Sequence, residues 1–373
     1  MDRYTLAHAS GADWKSTAEQ CLAEIKRPEQ RTGYAQIGLL YLTDNIAADT
    51  EDILAFLREQ TGVRDWVGSV GMGICATGQE YFDEPAIAIL ITEVEENSYR
   101  LLEGTKNLKP LSEEISVWSS QQESCFAIVH ADPRNGAIPD IISGLADQLN
   151  GFLVGGLTSS RGPLSQISGE VCDGGVSGLV LAGNVPVSTA LSQSCMPIGL
   201  RHQITACNQN VLIELDGRPA LDVFKEDIGE LLARDLQRIE GYIFAALPIA
   251  NSDTGDYLVR NLVGIDLEQK MLAIGEIVES GQSIQFCRRD AEAAEADLVR
   301  MLDDLKRRTD LTPKGAVYFT CLARGPNMFG NTSQELKIIE RELGDVPLVG
   351  FFCNGEISHR RLYTYTGVLT LFT

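Results

Sequence analysis

Three loops in this sequence gather polar and charged side chains around glycine. The first reads Arg324-Gly325-Pro326-Asn327-Met328-Phe329-Gly330-Asn331-Thr332. It follows an apolar run and opens a helix, where free backbone amides favour an anionic group. The second, Cys353-Asn354-Gly355-Glu356-Ile357, follows the next apolar run. If the two runs are neighbouring strands, these loops share one end of a sheet. Arg324, Gly325, Asn327, Phe329, Gly330, Asn354, Gly355 and Glu356 would then offer a guanidinium, a carboxylate, paired amides and an aromatic wall. That set suits an amino acid or a similar small zwitterion or anion. The third loop, from Gly155 to Gly162, carries hydroxyls and an arginine beside glycines that let a ligand approach the backbone. Gly156, Thr158, Ser159 and Arg161 form a second possible site for a carboxylate or phosphate, with Arg161 gripping it bidentately. Each loop also has a plainer reading. Arg324 could pair with Glu356 or a surface acid, Asn354-Gly355 could be a simple turn, and the hydroxyls could satisfy their own backbone.

Catalysis has one constellation to draw on. Cys353, Glu356 and His359 lie close in sequence, and a cysteine, an acid and a histidine are the parts of a nucleophilic hydrolase or transferase. Cys353 follows the apolar run VGFF, which equally suits a buried thiol. The histidines at positions 8, 130, 202 and 359 make no HExxH or cysteine-histidine ligand pattern, so no metal site is expected. There is no P-loop. Gly71 and Gly73 do not complete a dinucleotide fingerprint, because the required third glycine is Ala76. No cofactor is expected.

The elements that must position these loops recur. A unit of apolar strand, amphipathic helix, apolar strand with a glycine-polar turn, and return strand occurs three times. The first has a strand at Ile37–Leu42, a helix at about 50–60 with Ile53, Leu54 and Leu57 inward, WVGSVGMGICATG from Trp66, and a return strand over 86–92. The second has Cys125–Val129, a helix at about 139–149, GFLVGGLTSSRG from Gly151, and GLVLAG from Gly178. The third has Ala316–Leu322, a helix with Leu336, Ile339 and Leu343 inward, VPLVGFFCNGEI from Val346, and GVLTLF from Gly367. Thr332 and Glu335 have the spacing of a capping box at the start of that helix.

A different region separates the second and third units. It has a short strand at Leu212–Leu215, a turn at Asp216-Gly217, a helix from near Pro219 and a polar loop at Asn251–Asp256. A further helix, at about 291–307, turns Ala294, Leu298, Met301, Leu302 and Leu305 inward. The expected division is one domain over 1–190 and another over 205–373. The fold class is α/β or α+β: layered mixed or antiparallel sheets with helices, built from repeated strand-helix-strand-strand units. Short return connections exclude a purely parallel sheet, whose neighbours need long crossovers.

Composition narrows the partners. The formal net charge of the 373 residues is -21, which repels a phosphate backbone, so nucleic acid is not an expected partner. No apolar run approaches the ~20 residues needed to cross a bilayer. The opening MDRYTLAHASGADW lacks a basic region followed by an apolar core, so no secretory signal is expected. The 9 cysteines, an odd number without CxxC spacing, suit a reducing compartment. A cytoplasmic location follows as the expectation.

The order GFLVGGLTSSRG, Cys321 with Arg324-Gly325 and Phe329-Gly330, then VGFFCNGEI and TYTGVLTLF resembles the FIST domain pair over nearly the whole chain. That resemblance implies a sensory module of signal transduction that binds a small ligand, with amino acids suggested. Family members can be fused to output domains. This chain has no kinase signature, so its output would pass to a separate signalling protein such as a kinase or cyclase-type output protein. A protein-interaction scaffold without a ligand is the remaining alternative. After GEI this sequence has Ser358-His359-Arg360-Arg361 where some members have Gly-Pro. The added positive charge could alter the ligand or form a docking surface.

Overall fold

The computed structural model describes residues 4–25, 31–249, 256–309, 312–330 and 332–373. The polar stretch expected at 251–255, and Asn331 of the first loop, lie outside the described residues. The fold consists of mixed α/β sheets with helices and repeated strand-helix units. Packing divides it into two compact units, one of residues 1–192 with 298–373 and one of residues 193–297.

The first unit is built from three copies of one β-α-β-α-β-β-β-β pattern. Copy one contains β1 (Tyr4–Ser10), α1 (Trp14–Glu24), β2 (Tyr34–Thr43), α2 (Thr50–Thr61), β3 (Asp65–Gly71), β4 (Gly73–Ala76), β5 (Gln79–Phe82) and β6 (Ala86–Glu95). Copy two contains β7 (Tyr99–Thr105), α3 (Glu113–Ser120), β8 (Cys125–Ala131), α4 (Ile138–Leu149), β9 (Gly151–Leu157), β10 (Gln166–Ser168), β11 (Glu170–Cys172) and β12 (Val176–Ala182). Copy three opens with β13 (Val187–Gln193) and is then interrupted by the second compact unit.

That second unit holds β14 (Cys195–Asn208), β15 (Val211–Leu215), β16 (Arg218–Pro219), α5 (Ala220–Ala233), β17 (Ile243–Pro248), β18 (Tyr257–Asp266), β19 (Met271–Ile274) and β20 (Ser283–Arg289). Its sheet runs β14-β20-β17-β18-β19-β15-β16, and a further β14–β15 pairing closes it on itself. Leu221, Val223 and Phe224 of α5 join Ile204, Leu212, Leu272 and Phe286 in its apolar core. Copy three resumes with α6 (Ala291–Arg308), β21 (Gly315–Cys321), α7 (Pro326–Phe329), α8 (Gln334–Leu343), β22 (Leu348–Cys353), β23 (Glu356–Ser358), β24 (Arg361–Tyr363) and β25 (Thr366–Phe372).

Each copy pairs its two central strands in parallel across a helix: β2 with β3, β8 with β9, β21 with β22. Each return strand lies antiparallel to the first central strand: β6 on β2, β12 on β8, β25 on β21. The short hairpins cross between copies. β4-β5 of copy one joins β22, β10-β11 of copy two joins β3, and β23-β24 of copy three joins β9. The exchange is therefore cyclic, and each of the three sheets has the same order, edge-return-first-second-borrowed hairpin.

Glycine at one position of each copy permits this. Gly68, Gly155 and Gly350 face Leu40, Val129 and Tyr318 across the parallel pairs. A Cβ there would lie 1.7, 1.8 and 1.7 Å from the carbonyl oxygens of those residues. The residues following the facing positions, Tyr41, His130 and Phe319, meet edge to face with ring centroids 5.6, 6.2 and 6.1 Å apart. This ring triangle is where the three copies join, and Phe351 stacks on Tyr41 at 5.5 Å beside it.

One local expectation is corrected. The helix α8 has Ser333 as its N-cap, in the left-handed region and without a side-chain capping bond, so Thr332 and Glu335 form no capping box. Glu335 is drawn instead into the protein by Arg324 and Tyr318.

Candidate functional site

The loops that follow the parallel strands meet at one end of the first unit. Cys321 and Cys353 are in register at the ends of β21 and β22, and the Leu322 amide donates to the Cys353 carbonyl at 2.9 Å. The Asn354 amide donates to Leu157 O at 3.0 Å, and the Leu157 amide to Gly355 O at 2.8 Å. Glu356 pairs with Gly156. Ser159 bridges all three copies: its hydroxyl accepts from the Met72 amide at 2.9 Å and donates to Phe352 O at 2.5 Å. Thr158 and Ser69 share a hydroxyl contact at 2.9 Å. The glycine, threonine and serine of the third loop are thus adjacent to the second loop. Gly156 is obligatory for close approach, because a Cβ there would lie 2.1 Å from Cys353 Sγ. Arg161 is engaged elsewhere, by Asp44 at 2.7 Å and Asp83 at 2.6 Å.

Arg324 is wholly buried, and its carboxylate partner is Glu335 rather than Glu356. Nε donates to Glu335 at 2.8 Å, Nη2 to the Tyr318 hydroxyl at 3.3 Å, and the Phe329 ring lies 5.1 Å away. Glu335 also accepts from the Gly325 amide, Tyr318 and Thr320. Glu80 of the borrowed hairpin β4-β5 completes this cluster. Its Oε1 accepts from the Leu336 amide and its Oε2 has no partner. Burial, reinforced by the Glu335 charge, pushes the Glu80 carboxyl up to about 8. Asn327 is exposed with its amide on Leu322 O, Phe329 is half-buried, and Gly330 and Asn354 are exposed.

Glu356 is also wholly buried. Its Oε2 accepts from the Thr366 amide at 3.2 Å and the Thr366 hydroxyl at 2.8 Å, while Oε1 has no partner. Burial pushes this carboxyl up to about 8, against the opposing pull of the Thr366 bonds, the Arg324 charge and a weak contact from the Cys321 thiol.

The Cys353-His359-Glu356 constellation does not assemble. Cys353 is buried over Gly156, and burial with the neighbouring Glu356 raises its thiol well above the ordinary range. The His359 amide bonds to Leu153 O, three residues down β9 from Gly156, which is ~10 Å of extended chain. Its ring stacks on Phe152. The histidine of the central triangle is His130, which no loop or motif singled out. It is fully buried, burial lowers it to about 3, and its Nε2 lies 3.2 Å from the Tyr41 hydroxyl. Its only sequence signal was a titratable residue inside the apolar run CFAIVHA. Among the described residues no group of three or more His, Cys, Asp or Glu side chains could hold a metal ion. No helix among them is long and apolar enough to cross a membrane.

The FIST N domain matches residues 36–218 and the FIST C domain matches residues 220–359. The chain belongs to the FIST family, whose domains are small-molecule sensory modules. It is similar to an uncharacterized protein of Mycobacterium tuberculosis strain H37Rv, 30% identical over 98% of both chains. An uncharacterized protein of Mycobacterium bovis is 35% identical over 54% of each chain. The structure of PurLQS from Thermotoga maritima overlays with a TM-score of 0.22 at 12% identity, over 99% of this chain and 71% of that one.

Proposed function

We propose that this protein is a cytoplasmic sensory module that binds a small amino-bearing ligand, such as an amino acid, where the three copies converge, and reports it to a separate signalling protein. The observation that carries the reading is the unpartnered oxygen of Glu356, a wholly buried carboxyl at the junction of two loops. A buried polar atom without a partner forfeits about 1–3 kcal/mol, which a ligand N–H would restore. The exposed amides of Asn327 and Asn354 and the Phe329 ring border the same loops and would contact the rest of the ligand. Gly325, Gly330 and Gly355 let it approach the backbone. In this reading Arg324 acts as a fixed positive wall behind the ligand, because Glu335 already occupies it. The Ser159 bridge gives the signal a route, since a ligand that moves the Asn354–Glu356 bend moves a contact shared by all three copies. Gly156 and Thr158 transmit the same displacement. Arg161 lies on a separate ion-pair cluster and would contribute only through Asp44 and Asp83.

Thermal-shift screening of the full chain against amino acids and central metabolites tests the reading, since a selective ligand raises apparent stability. The expected hit is an amine-bearing compound whose shift disappears in Glu356→Gln. Because burial holds Glu356 protonated at neutral pH, uptake of an ammonium group should release a proton. Calorimetry in buffers of different ionisation enthalpy reads that proton. A panel without a hit, or a hit indifferent to Glu356→Gln, would remove the site from consideration.

A further inference from the structure

The three borrowed hairpins serve as controls for one another. Each tip has a residue in the left-handed region: Gly78 at φ 64°, Gly169 at φ 69°, and in the third hairpin His359 at φ 56°. Two copies use the residue that takes this conformation freely. The third uses a histidine, whose Cβ resists this conformation. The strain has a visible result. The His359 ring stacks on Phe152 at 5.1 Å and 12°, and Phe152 stacks on Phe126 at 6.4 Å and 4°. Three nearly parallel rings thus form a ladder whose last member is exposed. Burial, with help from the Arg361 charge, lowers the His359 pKa, so the ring is neutral at pH 7.

The ladder lines an open cleft of 680 Å³, within the range of small-molecule sites. Val185, Pro186 and Val187 give it an apolar wall, and Ser124 lies at its margin. Arg360, the other tip residue, contacts the Asp147 carboxylate through Nη2, while its Nε is buried and has no acceptor. The cleft lies at Cys125 and Gly151, where β8 and β9 begin. The Glu356 site lies where β9 ends, so the two are separate.

We propose that this cleft binds a small planar aromatic monocarboxylate. The aromatic ring continues the ladder on the open face of His359, where a neutral imidazole stacks without a charge to desolvate. The carboxylate accepts from Arg360 Nε in a charge-assisted hydrogen bond. Asp147 beside the same guanidinium sets the charge limit. A monoanion needs only the Nε–H, whereas a dianion such as a phosphate monoester would face the Asp147 carboxylate directly.

Titration of the full chain with benzoate, followed by ligand-observed NMR and calorimetry, tests the site. Cyclohexanecarboxylate retains the charge without the flat ring, and benzamide retains the ring without the charge. Benzoate should bind saturably, one per chain, with each comparator at least about tenfold weaker, equivalent to ~1.4 kcal/mol. His359→Gly is the decisive variant, because glycine suits the left-handed tip and the fold is retained. It should lower benzoate affinity at least about tenfold, as should Arg360→Gln. Glu356→Gln should leave benzoate binding unchanged, so failure here is distinct from failure of the amine site. The proposal is overturned by non-saturable benzoate binding, by equal binding of cyclohexanecarboxylate, or by benzoate affinity that survives His359→Gly.

Discussion

Gln166 and Glu356 occupy the same place in successive copies of one pattern, and they are treated differently. Each opens a borrowed hairpin and pairs with the residue after an obligatory glycine, Ser69 in one case and Gly156 in the other. Gln166 is complete: Oε1 accepts from Ser177 at 2.8 Å and Nε2 donates to Gly175 O at 3.1 Å. Glu356 has Thr366 on one oxygen and nothing on the other. The first copy has apolar Ile74 at this place, opposite Phe351. A repeated scaffold thus shows what the backbone needs, because two copies meet the need with neutral side chains. The excess in the third copy is chemistry the fold does not require.

The copies differ most in the loops after the first central strands. Copy two has Arg134 on Asp132, with the arginine side chain 60% exposed, whereas copy three has Arg324 and Glu335 both at 0%. Arg324→Met should cost about 3–5 kcal/mol by stranding a buried carboxylate. Asp132 is buried too but keeps the Arg134 and Gly174 backbone amides, so Arg134→Met should cost less, about 1–2 kcal/mol. Equal losses in chemical denaturation would mean the two loops are energetically alike.

Next in size is the pH dependence that Glu356 confers and Gln166 does not. The acid titrates at 4.5 when free and near 8 when folded, so both states are protonated below pH 4.5. Between these values the unfolded chain ionises and the folded chain does not, and stability falls as pH rises. Glu356→Gln should flatten that fall by an amount on the order of 3 kcal/mol. Denaturation midpoints at pH 5 and pH 8 measure the difference, and an unchanged slope would show that Glu356 ionises freely in the fold.

Gly155→Ala and Gly350→Ala come third, at about 1–3 kcal/mol each, because the added methyl meets strand backbone that cannot turn aside. Similar losses from both would confirm that the copies share this constraint, and a silent substitution would show one sheet able to spread. The smallest effect is expected at the hairpin tips. His359→Gly should raise the thermal midpoint, gaining up to ~1 kcal/mol, by releasing the left-handed strain that Gly78 and Gly169 never impose.

The copies themselves were legible, because each is written locally as apolar runs, a helical stripe and a glycine before the turn. Val-Gly recurs at 67–68, 154–155 and 349–350 in the strand where a Cβ is excluded. The approach of the first and second loops was legible too, once the strands before them were taken as neighbours. The hairpin exchange was not, since the choice of partner strand depends on edges about 100 to 275 residues apart and leaves no local pattern. Arg324 illustrates the same limit. Its acid, Glu335, has helix-cap spacing in sequence, and only the burial of Tyr318 and Thr320 beside it explains why the carboxylate turns inward. His359 stood six residues from Cys353, but the antiparallel run of β23 along β9 carries it away.

The cyclic exchange also sets a timetable for synthesis. Strand β4 is made early, yet its partner β22 leaves the ribosome some 270 residues later. At cellular elongation rates that is a wait of roughly 15–55 s. Throughout it the apolar Gly73–Ala76 segment has no sheet to join, and the ring triangle lacks Phe319. The nascent chain can therefore complete the β1-β6-β2-β3-β10-β11 sheet once the second copy emerges, while the other two sheets stay open until the last copy arrives. The final closure is a late event that chaperones must await.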